Sequence, residues 1–198
     1  MPRTRAHTKD SLASAALDVF WQHGFTATSL DQLVKATGAS RHGIYAEFGN
    51  KQALFAAVFE IYQREVVSPA FAPVEDAEAN ISAIGHYFEN QIAYADSLGL
   101  PGRGCLVANT IAEGSSHTKA VKQCVAKHNA RFREGFARAL INTRPTLSEP
   151  TVLADTVVTF SHGLWAMSRI AEDATTLRRT VAQFMTMLKH QIDQGESV

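Results

Sequence analysis

Apolar residues return along this chain at intervals of three and four. Between Thr8 and His23 they fall at Leu12, Ala16, Val19 and Phe20, the i, i+4, i+7, i+8 spacing that puts side chains on one face of a helix. Gly24 supplies a natural stop, since glycine enters the left-handed conformation that ends helices without a Cβ penalty. Thr28 or Ser29 can cap a second helix, in which Leu30, Leu33 and Val34 share a face and which Gly38 ends. Ser40 caps a third, with Ile44 and Phe48 four apart on its inner side, and Gly49-Asn50 breaks the chain again. A longer helix from about Asn50 carries Leu54, Val58, Ile61 and Tyr62 inward. It is expected to end near Pro69, where the backbone N–H is missing.

Beyond Pro73 the helices lengthen. One is predicted from Asp76 to Ser97, with Ile81, Ile84, Phe88, Ile92 and Ala95 on its apolar side, and the glycine-rich "GLPGRG" ends it. A segment from Cys105 to Glu113 precedes a helix from His117 to Ile141, striped by Val121, Cys124, Val125, His128, Phe132, Phe136 and Leu140. The last two, Glu149 to Ala171 and Ala174 to Gln194, carry Leu153, Val157, Phe160, Leu164 and Met167, then Leu177, Val181, Phe184, Leu188 and Ile192. No alternating strand run of useful length and no internal repeat occurs. The pattern predicts an all-α chain of about nine helices.

Composition adds bounds. The chain has 198 residues, enough for one substantial core or for a small module fused to a larger one. A 45% hydrophobic and 19% charged composition is ordinary for a globular protein. No run approaches the roughly 18 apolar residues of a membrane span, and "MPRTRAHTKDSLASAAL" is polar where a signal peptide needs an apolar core. A cytoplasmic protein with no membrane partner is expected. Two cysteines, Cys105 and Cys124, are too few for a disulfide scaffold in a chain this long. Net charge is zero, but Arg3, Arg5, Lys9, Lys35, Arg41 and Lys51 outnumber Asp10, Asp18, Asp31 and Glu47 in the first 51 residues. This slight positive bias, with His7, His23 and His42 beside it, permits a nucleic-acid-binding head.

Three short helices in the first fifty residues are poor core material, because nucleating a helix is costly and a short one returns few contacts. The second and third are joined by "TGAS", Thr37 to Ser40, a short turn bending at a glycine, which marks a helix-turn-helix. In that motif the second helix lies in the major groove, and its amino end tolerates a phosphate. Ser40, Arg41, His42, Gly43 and Tyr45 are predicted to face outward while Ile44 and Phe48 hold the helix down.

These residues carry a family resemblance. "GFTATSLDQLVKATGASRHGIYAEFGNKQALFAAVF", Gly24 to Phe59, resembles the DNA-binding head of the TetR family of bacterial transcriptional regulators. The likeness lies in the glycine-phenylalanine entry, the "GAS" turn, the glycine-bearing third helix ending in "IYAEF", and "GNK" opening the fourth. Val34 and Thr37 stand where the family usually has alanine, and Glu47 takes a place often held by a neutral residue or histidine. The resemblance implies a DNA-binding domain over residues 6–66 and a helical ligand-binding and dimerisation domain over 67–198. Thr28, Ser29, Gly43, Tyr45 and Lys51 would contact phosphates, the alternatives being that Tyr45 packs against the first helix and that Lys51 is simply an exposed lysine at a helix start. Arg41 and His42 would read bases, arginine pairing with guanine O6 and N7. The partners implied are a double-stranded operator, a second copy of the chain and an unidentified small-molecule inducer, with repression as the family's usual mode.

One head covers a single half-site, so regulation needs two at a fixed spacing. By resemblance the last two helices form a four-helix dimer interface through Leu153, Val157, Phe160, Gly163, Leu164, Leu177, Val181, Phe184 and Leu188. The same stripes could instead face the protein's own core. Ligand-pocket candidates are Tyr62, Phe88, Tyr94, Cys105, His128, Phe132, Phe160 and Trp165, any of which could equally be plain core. Cys105 follows Arg103 at a helix start, and a cation and a helix amino end both lower a thiol's pKa. This makes Cys105 a candidate redox or electrophile sensor, with Cys124 as possible partner, against the alternative of a quietly buried thiol. The eight histidines are scattered, without metal-ligand spacing, and neither a GxSxG elbow nor a phosphate loop occurs. No metal, cofactor or enzymatic activity is expected. A helical enzyme and a helical partner-binding module are the alternatives to a regulator.

Overall fold

Each short helix at the amino end starts on a side chain that satisfies backbone donors the helix leaves open. The computed structural model describes residues 8–114 and 118–194. In α1 (Lys9–Ala27) Thr8 and Ser11 form a reciprocal capping box, and Gly24, at φ 77° and ψ 178°, interrupts the helix where the sequence predicts. Ser29 caps α2 (Leu30–Thr37) in a second such box with Gln32, and Gly38 closes it in the left-handed conformation. Ser40 caps α3 (Arg41–Phe48) by accepting from the Gly43 amide, and Asn50 caps α4 (Lys51–Tyr62) through the Ala53 amide.

Pro69 does not end the fourth helix. A π turn over Gln63–Val67 follows α4 and leads without a break into α5 (Ser68–Glu75). The Ser68 amide reaches back to the Gln63 carbonyl, and Pro69 then falls in the first turn of α5, where a missing N–H costs nothing. The boundary expected between residues 66 and 67 lies inside this rod. Next come α6 (Ile81–Leu98), capped by Asn80, α7 (Leu106–Glu113), α8 (Lys119–Thr143), α9 (Pro150–Met167) and α10 (Ala174–Gln194). With α4, the π turn and α5 taken as one rod, the described residues hold nine helical rods and no strand. The starts expected at residue 6 and at His117, and the end at residue 198, lie outside the described residues. No described helix is long and apolar enough to cross a membrane.

The head packs α1 against α2 and α4, burying Leu12, Ala16, Phe20, Leu33, Ile44, Leu54, Phe55 and Val58. The larger half pairs α8 with α9 and α6 with α10. Its centre is aromatic. Phe71 from the rod stacks on Phe132 of α8 at 4.0 Å between centroids, and Phe88, Phe136, Phe160 and Phe184 meet beside them. Gly135 makes room for Phe71, since a Cβ there would lie 2.8 Å from its ring. Trp21 of α1 donates its indole N–H to the Gly104 carbonyl at 2.8 Å, so the two halves are bonded as well as packed.

Candidate nucleic-acid interface and cavity

The turn from α2 to α3 is closed by its own side chains. Thr37 donates its hydroxyl to the Leu33 carbonyl and accepts from the Ala39 amide, while Ala39 is buried beneath the bend. Ile44 is fully buried and Phe48 packs half-buried against the same core. That leaves Ser40, Arg41, His42 and Tyr45 exposed on the opposite side of α3, with Gly43 half-buried among them. The Arg41 guanidinium pairs with Asp31 of α2 across the turn, and both side chains remain largely exposed. Such a pair is screened by salt and opens readily, so Arg41 is tethered rather than sequestered. Glu47, the departure noted on this helix, is half-buried.

Two residues expected at phosphates are placed differently. Thr28 is 1% exposed and gives its hydroxyl to the Gly24 carbonyl at 2.6 Å, so its side chain is committed to the fold, while exposed Ser29 is the cap of α2. Lys51 is half-buried, with its ammonium 4.5 Å from the centre of the Phe25 ring. Burial lowers its pKa and the nearby Glu113 carboxylate opposes that shift. A cation at a helix amino end opposes the helix dipole, and here the compensation comes from within the protein.

Glu113 itself escaped the sequence reading. It is the last residue of α7, yet its carboxylate accepts from the Phe25 amide at 2.7 Å, and from the Thr26 amide and hydroxyl at 2.8 Å each. These amides open the short turn that follows the Gly24 break, so α7 caps the head from outside. The approach requires a glycine, because a Cβ on Gly24 would sit 2.0 Å from Glu113 Oε1. Charge-assisted bonds of this kind are roughly twice as strong as neutral ones. Glu113→Ala is expected to raise the exchange rates of the Phe25 and Thr26 amides about tenfold or more. Hydrogen exchange followed by NMR checks this, with the α8 amides as an unchanged reference.

At the other end of α7, Cys105 lines a cavity of about 390 Å³ between α6, the α6–α7 loop, α8 and α9. Of the expected pocket residues, Tyr62, Tyr94, Cys105, His128, Phe132 and Trp165 line it. Phe88 does not: it is fully buried among the other phenylalanines. Phe160 does not either, since it stacks on Phe184 at 3.7 Å and borders a separate groove on α9 and α10. The sequence reading missed Trp21, Tyr87, Arg103 and His162. These come from four different elements and share no spacing, so only folding brings them together.

The Cys105 thiol does not have the lowered pKa expected of it. Burial pushes it up, outweighing the Tyr62 hydroxyl and the Ala108 and Val107 amides, which pull it down. Arg103 is turned elsewhere, its guanidinium 2.5 Å from Asp18 and 3.8 Å from the centre of the Trp21 ring. Burial and Glu60 push Cys124 up too. Both cysteines are free thiols. In a Cys124→Ser background at about pH 7.5, Cys105 is expected to react with iodoacetamide about tenfold or more slowly in the folded chain than in urea, as timed by mass spectrometry. Among the described residues no group of three or more histidine, cysteine or acidic side chains is placed to hold a metal ion.

The expected dimer residues are mostly spent inside the chain. Val157, Leu164, Leu177, Val181 and Leu188 are at most 4% exposed, and Leu153, Phe160 and Phe184 are half-buried against the same core. The stripes face inward because α9 packs on α8 and α10 on α6. Gly163 alone of the nine is exposed, with open space around its Cα. It lies on a different face of α9, shared with the exposed Val152, Thr156, Thr159 and Met167, and borders a groove with Thr176 and Thr180 of α10 that Glu172 and Asp173 also line.

Comparison with known proteins agrees with the motif. Residues 12–58 match the family model described as bacterial regulatory proteins, tetR family. The chain is 40% identical over 87 residues to the HTH-type transcriptional repressor ComR of Escherichia coli K12, a match spanning 43% of this chain and 41% of ComR. It is 21% identical to the HTH-type transcriptional repressor DhaR of Mycobacterium sp. strain GP1, over 93% of this chain and 91% of that one. Among solved structures it superposes with a TM-score of 0.78 on the TetR-family regulator CifR, a cysteine mutant complexed with 26-base-pair operator DNA. That match is 22% identical and covers 93% of this chain and 98% of the other. The chain therefore spans less than half of ComR in sequence, and shares the TetR fold along nearly its whole length.

Proposed function

We propose, from the premise that this chain belongs to the TetR family through its amino-terminal domain, that it is a homodimeric, ligand-responsive DNA-binding regulator acting as a repressor. The observation that carries this reading is the outward side of α3. Arg41, His42 and Tyr45 stand exposed around a serine-capped helix start that Ile44 and Phe48 hold in place. Arg41 leaves Asp31 to pair with a guanine edge, His42 reads beside it, and Ser29, Ser40, Gly43 and Tyr45 meet phosphates. Lys51 adds a cation at the edge of that surface. A mobility-shift assay with the DNA upstream of the protein's own gene tests the reading, and the absence of a salt-sensitive, sequence-dependent shift overturns it. Arg41→Ala is expected to relax preference at one base pair. Lys51→Met, which keeps the packing on Phe25, is expected to weaken all sequences alike and to lower the salt slope by about one.

Two heads on one operator need a dimer, and the outer face around Gly163 is the surface we assign to it. Small residues there let backbones approach closely, as four-helix interfaces require. Since a side chain at Gly163 meets nothing within the protein, Gly163→Arg is expected to leave the monomer folded, to convert the dimer to monomer in sedimentation velocity, and to weaken operator binding.

The cavity is the effector site in this reading. Its wall at Gly102–Cys105 leads directly into α7, whose far end holds Phe25 and Thr26 through Glu113. A ligand that binds more tightly when α7 is displaced carries Glu113 with it and shifts the head. Reversible binding accounts for the cavity better than attack on Cys105, because burial favours the thiol over the reactive thiolate.

A further inference from the structure

We infer that the cavity takes an uncharged aromatic molecule of two or three fused rings and excludes both cations and carboxylates. The inference rests on the reading of this cavity as the effector site. Among the described residues Arg103 is the one formally charged side chain lining it, and its guanidinium is paired with Asp18 and lies on the face of Trp21. No carboxylate of a described residue lines the cavity. A buried cation would therefore lack a counter-charge, and a buried anion would have to leave water and compete with Asp18 for Arg103. Burying an uncompensated charge costs far more than an apolar cavity returns.

His128, His162, Tyr62, Tyr87 and Cys105 on the lining stay neutral around neutral pH. Burial, with His162 and Arg131 nearby, lowers the pKa of His128 to about 3, and burial alone lowers that of His162. Burial raises the tyrosines Tyr62 and Tyr87 and the thiol of Cys105. Several polar atoms on the wall already have partners within the protein, although buried His162 Nδ1 has none. The Tyr62 hydroxyl donates to Cys105 Sγ at 3.4 Å, His128 Nδ1 meets the Gln63 amide at 3.0 Å, and His162 Nε2 meets Asn129 Oδ1 at 2.9 Å. His162 Nδ1 leaves a place for a single hydrogen-bonding group on the ligand, such as a hydroxyl or ether oxygen. The rings of Trp21, Tyr62, Tyr87, Phe132 and Trp165 line the wall together with the aliphatic side chains of Val66, Val67 and Ala70. At the rim Tyr94 is 53% and Leu98 61% exposed, an apolar approach from solvent. A volume of about 390 Å³ lies toward the small end of ligand cavities, which suits a compact fused-ring molecule.

The chain's two tryptophans, Trp21 and Trp165, both line this cavity, so their emission reports occupancy directly. The full-length chain is titrated with 2-naphthol, 2-methoxynaphthalene, 2-naphthoate and 2-naphthylmethylammonium at about pH 7, by calorimetry and tryptophan emission. The two neutral probes are expected to bind and change the emission, with both ions weaker by about a hundredfold or more, on the order of 3 kcal/mol. Ala70→Phe and, at the rim, Ala95→Phe are expected to weaken the neutral probes about tenfold, with melting curves showing that each variant is folded. Equal binding of either ion overturns the proposal. So does failure of all four probes to bind, or neutral-probe affinity unchanged in both folded variants. No DNA is present in these titrations, so loss of the operator shift would count against the regulator reading alone.

Discussion

The two halves of this protein are joined where a carboxylate from one half finishes the backbone of the other. α1 stops at Gly24, and the amides of Phe25 and Thr26 that follow have no helical carbonyl to meet. Glu113, from the end of α7, accepts both. The contact fixes Gly24 as glycine, since any Cβ would collide with the carboxylate. It also places a negative charge beside Lys51 and hence at the start of α4. The orientation of the head is in this way set by a residue almost ninety positions away in sequence.

α7 is eight residues long and runs from the cavity wall at Cys105 to the contact of Glu113 with the head. One end meets a cavity and the other meets the head. Trp21 forms a second tie at the cavity end, bonded to Gly104 and covered by Arg103. A molecule entering the cavity therefore meets the same loop that braces α1. In the proposed reading the wall narrows what enters, because burial keeps His128 and His162 neutral and Arg103 is paired with Asp18.

Several parts of this arrangement were legible in the sequence. Ser29, Ser40 and Asn50 precede their helices at the capping position, and Gly24, Gly38 and Gly49 sit where the chain must turn. Caps and glycine breaks act within four residues, so spacing alone reveals them. The inner side of α3, Ile44 and Phe48, was readable for the same reason. Pro69 misled because a π turn shifted the hydrogen-bond register just before it, an adjustment with no fixed sequence mark. Thr28 and Ser29 looked equally fit to cap α2, and it was the burial of Thr28 against Gly24 that separated them.

By itself, then, the sequence determined an all-α chain, most of its helix limits to within about five residues, and a turn between α2 and α3 that leaves Arg41, His42 and Tyr45 outside. All of these follow from local periodicity and from backbone groups that must be satisfied nearby. Tertiary structure decided which apolar stripe of α9 and α10 faces inward, because a stripe names a buried face without naming what buries it. It decided that Cys105 is a protonated thiol, since a helix start and a nearby arginine lower a pKa only if burial does not outweigh them. It also brought Glu113 to Phe25 and Thr26, a contact between residues far apart in the chain that no local spacing encodes.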